Sequence, residues 1–473
     1  MIDLIRGKEI LVVGMARSGV AAAEVLAGNG ASKITVTDQK EAAELQEALT
    51  ILKRYPQVIT VTGENPPNLV NLELSLIVKS PGVPPKLELF KKAVQLGIPV
   101  ISEIELAYHF LRTPLIGITG TNGKTTTTAL VAEILKKARF DPVVAAGNIG
   151  KPLSGLVGKI SAQGLIAAEL SSFQLEDICQ FRPFVAVWLN FAEDHLDYHG
   201  NMDRYFEAKA RIFENQVAAD YAVLNADDPA VAKLAGSLKA QVLMFSRKPV
   251  KTGCGIENGL IKIFNGEADP IAICPVSELA LPGDHNLENA LAAATAAWAA
   301  GADPESIGSV LRSFKAIEHR LELVKKINGV DYINDSKGTN PGATIKALHS
   351  FPGRKIILIA GGKEKDADYS GLAEVIRHEV RLLILLGETK EKIAQAAGKT
   401  GFKSYSFVST LEEAVSLAAR EAEKGDVVML SPACASWDMY KDYEERGKDF
   451  KQLVMKLSTL SLSNGVQKHG SQT

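Results

Sequence analysis

"LIGITGTNGKTTTTALV", residues 115–131, decides how this chain is read. An unbroken apolar run enters a glycine turn, and a threonine-rich stretch of helical pattern leaves it. Apolar runs of four to six residues without alternation suit strands buried on both faces, as in parallel sheets. The turn is laid out for an anion, because backbone N–H groups and the positive end of a helix face one point and Lys124 adds a charge. Gly120, Thr121, Asn122, Gly123, Lys124, Thr125 and Thr126 are therefore expected to hold the phosphates of a nucleoside triphosphate. Lys124 would reach the β- and γ-phosphates, and the Thr125 hydroxyl would ligate Mg2+. The spacing departs from G-x-x-x-x-G-K-[ST], which asks for glycine where this chain has Ile118. A tight turn without ligand is the plainer reading, but a lysine ringed by threonines is too polar to be packing alone.

The same layout occurs twice more, in "EILVVGMARSGVAAAEVLAG" (9–28) and "KIILIAGGKEKDADYSGLAEVI" (355–376). Helices are expected over 20–26, 126–137 and 370–380. Further strands of the buried kind are "KITVTD" (33–38), "LSLIVKSPG" (74–82), "GLIAAELS" (164–171), "VAVWLN" (185–190), "YAVLNADD" (221–228), "LLILLG" (382–387) and "DVVMLSP" (426–432). This is an α/β chain in three domains. The first is a Rossmann-like N-terminal domain (1–112). A central parallel sheet of P-loop ATPase type (113–314) follows, with hairpins appended over 246–273, and then a Rossmann-like C-terminal domain (315–457). The polar, Ser-rich residues 458–473 are expected to form a disordered tail.

Composition narrows the function. The chain has 473 residues, 46% of them hydrophobic, with 53 basic and 55 acidic side chains and a net charge of −2. No whole-molecule field recommends nucleic acid or an anionic membrane as partner. Four scattered cysteines without a CxxC pair fit a reducing compartment better than a disulfide framework. Arg6, Lys8 and Glu9 interrupt the apolar N-terminus, so it reads as a strand start and not a signal peptide. No uncharged apolar run approaches the roughly 18 residues of a membrane span. A cytoplasmic monomer is expected.

Several side chains point to chemistry. Glu169 ends the strand "LIAAE", where a carboxylate emerges at the carboxyl edge of a parallel sheet. Mg2+ on a triphosphate takes one or two such carboxylates with phosphate oxygens and water. In "EDHLDYHG" the pair His195 and His199 with Asp194 raises a zinc site, but no second ligand cluster supports it. Lys209, in "FEAKARIF", reads by composition as a solvated helix lysine. "VVGMARSG" has Gly14 and Gly19 without a middle glycine, and Asp38 stands where dinucleotide folds put a ribose acid. Alone, this turn would serve a nicotinamide enzyme equally well.

"GTNGKTTT" resembles the ATP loop of the Mur ligase family, the ATP-dependent amide-forming enzymes of peptidoglycan precursor synthesis. "GNIGKPL" (147–153), "AAELSSFQLE" (167–176), "NFAEDHLDYHG" (190–200), "GDHNLENALAA" (283–293), "EHRLE" (318–322), "INDSKGTNP" (333–341) and "LSPACASWD" (430–438) resemble the same family in order and spacing. The resemblance implies three small-molecule substrates: ATP, UDP-N-acetylmuramoyl-L-alanine and D-glutamate. It implies two Mg2+ ions, held by Thr125, Glu169, His195 and a Lys209 carbamylated by CO2, with Lys124, Glu169, His195 and Lys209 as the catalytic set. It leaves His199 outside the metal shell. UDP-substrate contacts fall on Met15, Ala16, Arg17, Asp38, Ser80, Pro81, Gly82 and Asn148, while Lys40 stands where the family usually has an arginine. The ATP site is completed by Asn286, Asn289, Arg320, Asp335 and Lys337. D-glutamate falls to Thr339, Lys365, Ser436 and Tyr443, with Lys363 a second basic candidate. Two alternatives remain: another Mur-type or folylpolyglutamate-type amide ligase, and a nucleotide-regulated binding protein. The full N-terminal unit opposes a folate ligase, and the intact lysine–carboxylate–histidine set opposes a mere binder.

Overall fold

The computed structural model describes residues 1–466 except 267–268, 282, 315–317, 365–366 and 437. Three α/β sheets account for the chain. The first has strand order Val58–Thr62, Lys33–Asp38, Glu9–Val13, Leu74–Lys79, Val100–Ser102, parallel throughout. The second runs Ile271–Pro275, Leu260–Asn265, Thr252–Glu257, Gln241–Phe245, Tyr221–Asn225, Val185–Trp188, Leu115–Thr119, Leu165–Glu169, Val143–Gly147. Its first three strands are antiparallel to one another, as the expected hairpins, and the rest are parallel. The third runs Glu322–Ile327, Val330–Asn334, Val427–Leu430, Ile356–Ala360, Val380–Leu385, Tyr405–Phe407, antiparallel only at its first pair.

Two compact units result. Met1–Ala280 with His285–Phe314 carries the first two sheets, and Leu281–Asp284 with Lys315–Thr473 carries the third. Each sheet is covered on both faces. Val12, Ile34 and Val78 point to one side of the first and Leu11, Val13 and Ile77 to the other. Ile116 and Ile118 divide from Leu115 and Ala168 in the second, and Leu358 and Met429 from Ile357 and Val428 in the third. Two-sided burial is the reason these strands read as continuous apolar runs.

The helices after the three glycine turns are Arg17–Gly28, Lys124–Lys137 and Ser370–Glu379, in the expected places and longer at their first turns where they begin earlier. The last helix spans Tyr443–Val466 and so occupies the first part of the stretch expected to be a disordered tail. Serine and threonine are only mildly unfavourable in a helix, and no proline interrupts it. Residues 467–473 lie outside the described residues.

Candidate active site

The strand Leu115–Thr119 is buried along its whole length between Leu165–Glu169 and Val185–Trp188. Its carboxyl end opens into the phosphate-type loop. Gly123 has φ +82°, and a Cβ there would stand 2.1 Å from Asn289 Oδ1, so the loop needs glycine both for its conformation and for the close approach. The loop is pinned from below. Asn122 N–H donates to Asn190 Oδ1 (2.8 Å), and Asn190 Nδ2 returns a bond to Asn122 O (3.2 Å). Thr121 Oγ1 donates to Ala192 O (3.2 Å) and lies 3.3 Å from the Tyr205 hydroxyl. Thr127 Oγ1 donates to Asn289 Oδ1 (3.3 Å), which ties the helix Asp284–Ala299 to the loop and brings the expected adenine-side residues to it.

Two lysines converge here. Lys124 Nζ donates to the carbonyls of Gly120 (2.8 Å) and Thr121 (2.9 Å), and Lys209 Nζ donates to the same Gly120 carbonyl (2.9 Å). Lys209 is 1% exposed, and its ammonium lies 4.8 Å from the centre of the Tyr205 ring. Burial first, and Lys124 second, hold its amine well below the usual lysine pKa, while Asp194 and Glu169 pull the other way. Composition had suggested a solvated lysine. The helix Met202–Ala210 buries Tyr205, Ala208 and Lys209, an i, i+3, i+4 stripe that was there to be read.

Glu169 is 3% exposed at its strand end. Asn148 Nδ2 donates to its Oε1 (2.9 Å), and Oε2 is buried with no hydrogen-bond partner among the described residues. A buried acceptor of this kind beside a phosphate loop suits a divalent cation, and the donor set fits Mg2+. His195 has φ +53° and a half-exposed ring, 3.6 Å from Asp194 Oδ2 and edge-on to Phe173. His199 is buried, bonded at 2.9 Å to Ser172 Oγ and stacked on Phe173, which is a packing role. Among the described residues no group of three or more His, Cys, Asp or Glu is placed to hold a metal by side chains alone.

The turns at the carboxyl edge of the first sheet also meet. Asp38 accepts from the backbone N–H of Met15 (2.6 Å) and of Lys40 (3.0 Å), so its carboxylate shapes the turn that carries Ala16 and Arg17. Ser80 Oγ donates to Gly14 O (3.1 Å), joining the Ser80-Pro81-Gly82 turn to it. Arg17 Nη1 donates to Gly150 O (3.3 Å), two residues from Asn148. The residue before that turn has a role that its local sequence leaves unassigned. Lys79 is 3% exposed, 2.5 Å from Asp177 Oδ2, 3.5 Å from Glu176 Oε2 and 3.2 Å from the Tyr198 hydroxyl. It joins the edge of the first sheet to the segment that carries His195. A lysine closing an apolar run before Ser-Pro-Gly was the available signal.

In the second unit Asp335 is buried, accepting from Ser431 Oγ (2.7 Å) and Leu321 N–H (3.3 Å). Burial pushes its pKa up to about 6 against the pull of Ser431 and Arg320. Lys337 lies 5.6 Å from the Tyr443 ring centre, the Thr339 N–H donates to Lys337 O (2.9 Å), and Ser436 is buried. Lys363 pairs with Glu388 (2.9 Å). Lys365 lies outside the described residues.

A nucleotide loop at the carboxyl edge of one parallel sheet, joined to a Rossmann-like sheet and followed by a second, defines a class, and family models match it along the chain. The Mur ligase MurD-like N-terminal domain matches residues 8–102, the Mur ligase middle domain 118–297, and the Mur ligase glutamate ligase domain 319–434. The chain belongs to the Mur ligase family. Its relatives include the UDP-N-acetylmuramoylalanine–D-glutamate ligase of Pelotomaculum thermopropionicum, 46% identical over 95% of this chain and 98% of that one. The enzyme of the same name from Clostridioides difficile is 45% identical over 96% and 99%. Among solved structures, UDP-N-acetylmuramate-alanine ligase of Thermotoga maritima aligns with TM-score 0.57 at 20% identity, covering 95% of this chain and 99% of that one. The MurF ligase of the same organism, in complex with ADP, aligns with TM-score 0.58 at 19% identity over 96% and 97%. These two show the shared fold.

Proposed function

We propose that this chain joins D-glutamate to UDP-N-acetylmuramoyl-L-alanine at the expense of ATP, in peptidoglycan precursor synthesis. The observation that carries the nucleotide chemistry is the convergence of Lys124 and Lys209 on the Gly120 carbonyl beside the Glu169 oxygen that has no hydrogen-bond partner among the described residues. The choice of acceptor and amino acid rests on full-length likeness to ligases of that name.

Amide formation from a carboxylate needs an activated acyl group. The γ-phosphoryl of ATP passes to the substrate carboxylate, the D-glutamate amine attacks the resulting acyl phosphate, and phosphate leaves. Lys124 and the loop N–H groups hold the phosphates where charge develops. Thr125 and Glu169 are the residues for one Mg2+, and His195 with Lys209 for a second. When bound, the ions offset charge on the transferring phosphoryl group. Lys209 serves as a carbamate in this reading: the neutral amine adds to CO2 and loses a proton, becoming an oxygen ligand. Its burial and the adjacent Lys124 favour the neutral amine that this addition requires. Residues 1–112 hold the UDP end, 113–314 the nucleotide, and 315–457 the amino acid, with Thr339, Ser436, Tyr443 and Lys365 as its pocket. The enzyme acts as a cytoplasmic monomer. No described helix is long and apolar enough to cross a membrane, and the four cysteines are free.

The test is ADP release with UDP-N-acetylmuramoyl-L-alanine against a panel of D- and L-amino acids. Turnover with D-glutamate alone is expected; turnover with L-alanine or a diamino acid instead rejects the reading.

A further inference from the structure

Arg446 lies on the first turns of the helix Tyr443–Val466, is 2% exposed, and has no place in the chemistry above. Its guanidinium reaches two loops at once. Nε donates to Ser336 Oγ (3.1 Å) and Nη2 to Ser336 O (3.0 Å) in the loop after Val330–Asn334. Nη2 also donates to Cys434 O (3.2 Å) and Nη1 to Ala435 O (3.3 Å) in the loop after Val427–Leu430. Ala435 O takes a further bond from Lys363 N–H (2.9 Å), in the loop after Ile356–Ala360. A Cβ at Gly362 would stand 3.2 Å from Nη1 and 2.2 Å from Ala435 O, so this third loop crosses closely over the same group. The three strands are neighbours in the sheet and parallel, so their loops share one edge.

All four of these hydrogen bonds end on neutral oxygens. Burial pulls the Arg446 pKa down to about 10, which leaves the group charged at neutral pH. A buried cation bonded to carbonyls, without a hydrogen-bonded carboxylate among the described residues, costs desolvation that a purely structural tie would avoid. Its effect at the edge is specific. Carbonyl oxygens at a carboxylate site repel the ligand, and Arg446 engages those of Ser336, Cys434 and Ala435. These residues flank Lys337 and Ser436. Lysine, with a point charge and three donors, cannot reproduce a planar fork that spans two loops.

We infer that Arg446 is the positioning residue of the amino-acid pocket: it ties the loops 335–339, 361–363 and 432–436 together and turns their shared edge toward an acidic amino acid. The inference rests on the proposed function for the identity of that ligand, and on geometry alone for the tie.

Two readouts in the full chain test it, using Arg446→Lys and Arg446→Ala. Amide hydrogen exchange without substrates is expected to rise about tenfold in the three loops, with the strands Ile356–Ala360 and Val427–Leu430 unchanged. Unchanged loops, or an equal rise across the whole unit, overturns the tie. In the ligation assay the KM for D-glutamate should rise roughly tenfold or more, that for the UDP substrate about threefold at most. Ethylguanidinium should partly restore Arg446→Ala, and ethylammonium should not. Wild-type KM values, an equal rise for all substrates, or equal rescue by both ions overturns the pocket role. A wild-type enzyme that ignores D-glutamate would instead defeat the functional reading, and the exchange data would still decide the tie. Should Arg446→Ala fail to fold, Arg446→Lys keeps stem and charge and carries both readouts.

Discussion

Replacing Lys209 by methionine separates catalysis from stability. The Lys209 side chain is buried beside Lys124, and its Nζ donates to Gly120 O at 2.9 Å. Its folded pKa lies well below the ordinary 10.5. Between those two values the unfolded chain holds a proton that the folded chain does not, so stability falls as the pH drops from about 10.5 toward the folded pKa and is flat below it. Each unit of depression corresponds to about 1.4 kcal/mol of destabilisation once the pH is below the folded pKa. Methionine keeps the apolar stem and loses one hydrogen bond, worth about 0.5–1.5 kcal/mol net. Lys209→Met should therefore match or exceed the wild type in stability at pH 7, and the difference should shrink as the pH approaches 10.5. Turnover should be abolished. Denaturant melts from pH 7 to 10.5 in degassed, chelated buffer read the first result, and ADP release the second. A variant clearly less stable than wild type at pH 7, with a gap independent of pH, would refute the account of a penalised amine. In labelled bicarbonate with Mg2+, wild type should show a carbamate carbon signal that Lys209→Arg lacks, and a fully active Lys209→Arg would reject the carbamate.

Lys124→Ala should abolish turnover yet leave UDP-substrate binding by calorimetry nearly intact, because most of the proposed UDP contacts fall on the first sheet and the proposed phosphate loop on the second; equal loss of both bindings would contradict that division. Lys79→Met strands Asp177, while Glu176 keeps its bond from the Tyr198 hydroxyl (2.8 Å), and breaking a buried pair costs about 3–5 kcal/mol. Burial raises the pKa of Asp177 while Lys79 opposes the rise, so without Lys79 a proton can replace the ammonium. The deficit in thermal stability should narrow from pH 7 to pH 5, and a pH-independent deficit would count against it. Lys365→Ala should raise the KM for D-glutamate about tenfold or more, since removing one partner of a buried ion pair costs roughly 2–5 kcal/mol. Wild-type kinetics would remove Lys365 from the site.

The sequence by itself determined the class and most of the sheet order's raw material. "EILVV", "LIGIT", "LIAAE", "VAVW" and "IILIA" are strands because both faces of each sheet are covered, and covered faces leave an apolar run in the chain. The glycine turns and Lys124 were legible for the same local reason, since a loop must adopt its conformation whatever surrounds it. The edge strands Val58–Thr62 and Val143–Gly147 escaped because one is half-exposed and the other is built from small residues, so neither makes a strong run. Only tertiary structure decided the rest. Lys209 is a surface lysine by composition and an interior one by the Tyr205, Ala208, Lys209 stripe, but its place under Gly120 comes from the fold alone. Lys79 marks itself by closing an apolar run, but its partners, like the Ser336 partner of Arg446, come from segments about a hundred residues away in sequence. Burial and partnership set what a charged side chain does; a local pattern can mark the burial, but the partners come from long-range contacts that it does not contain.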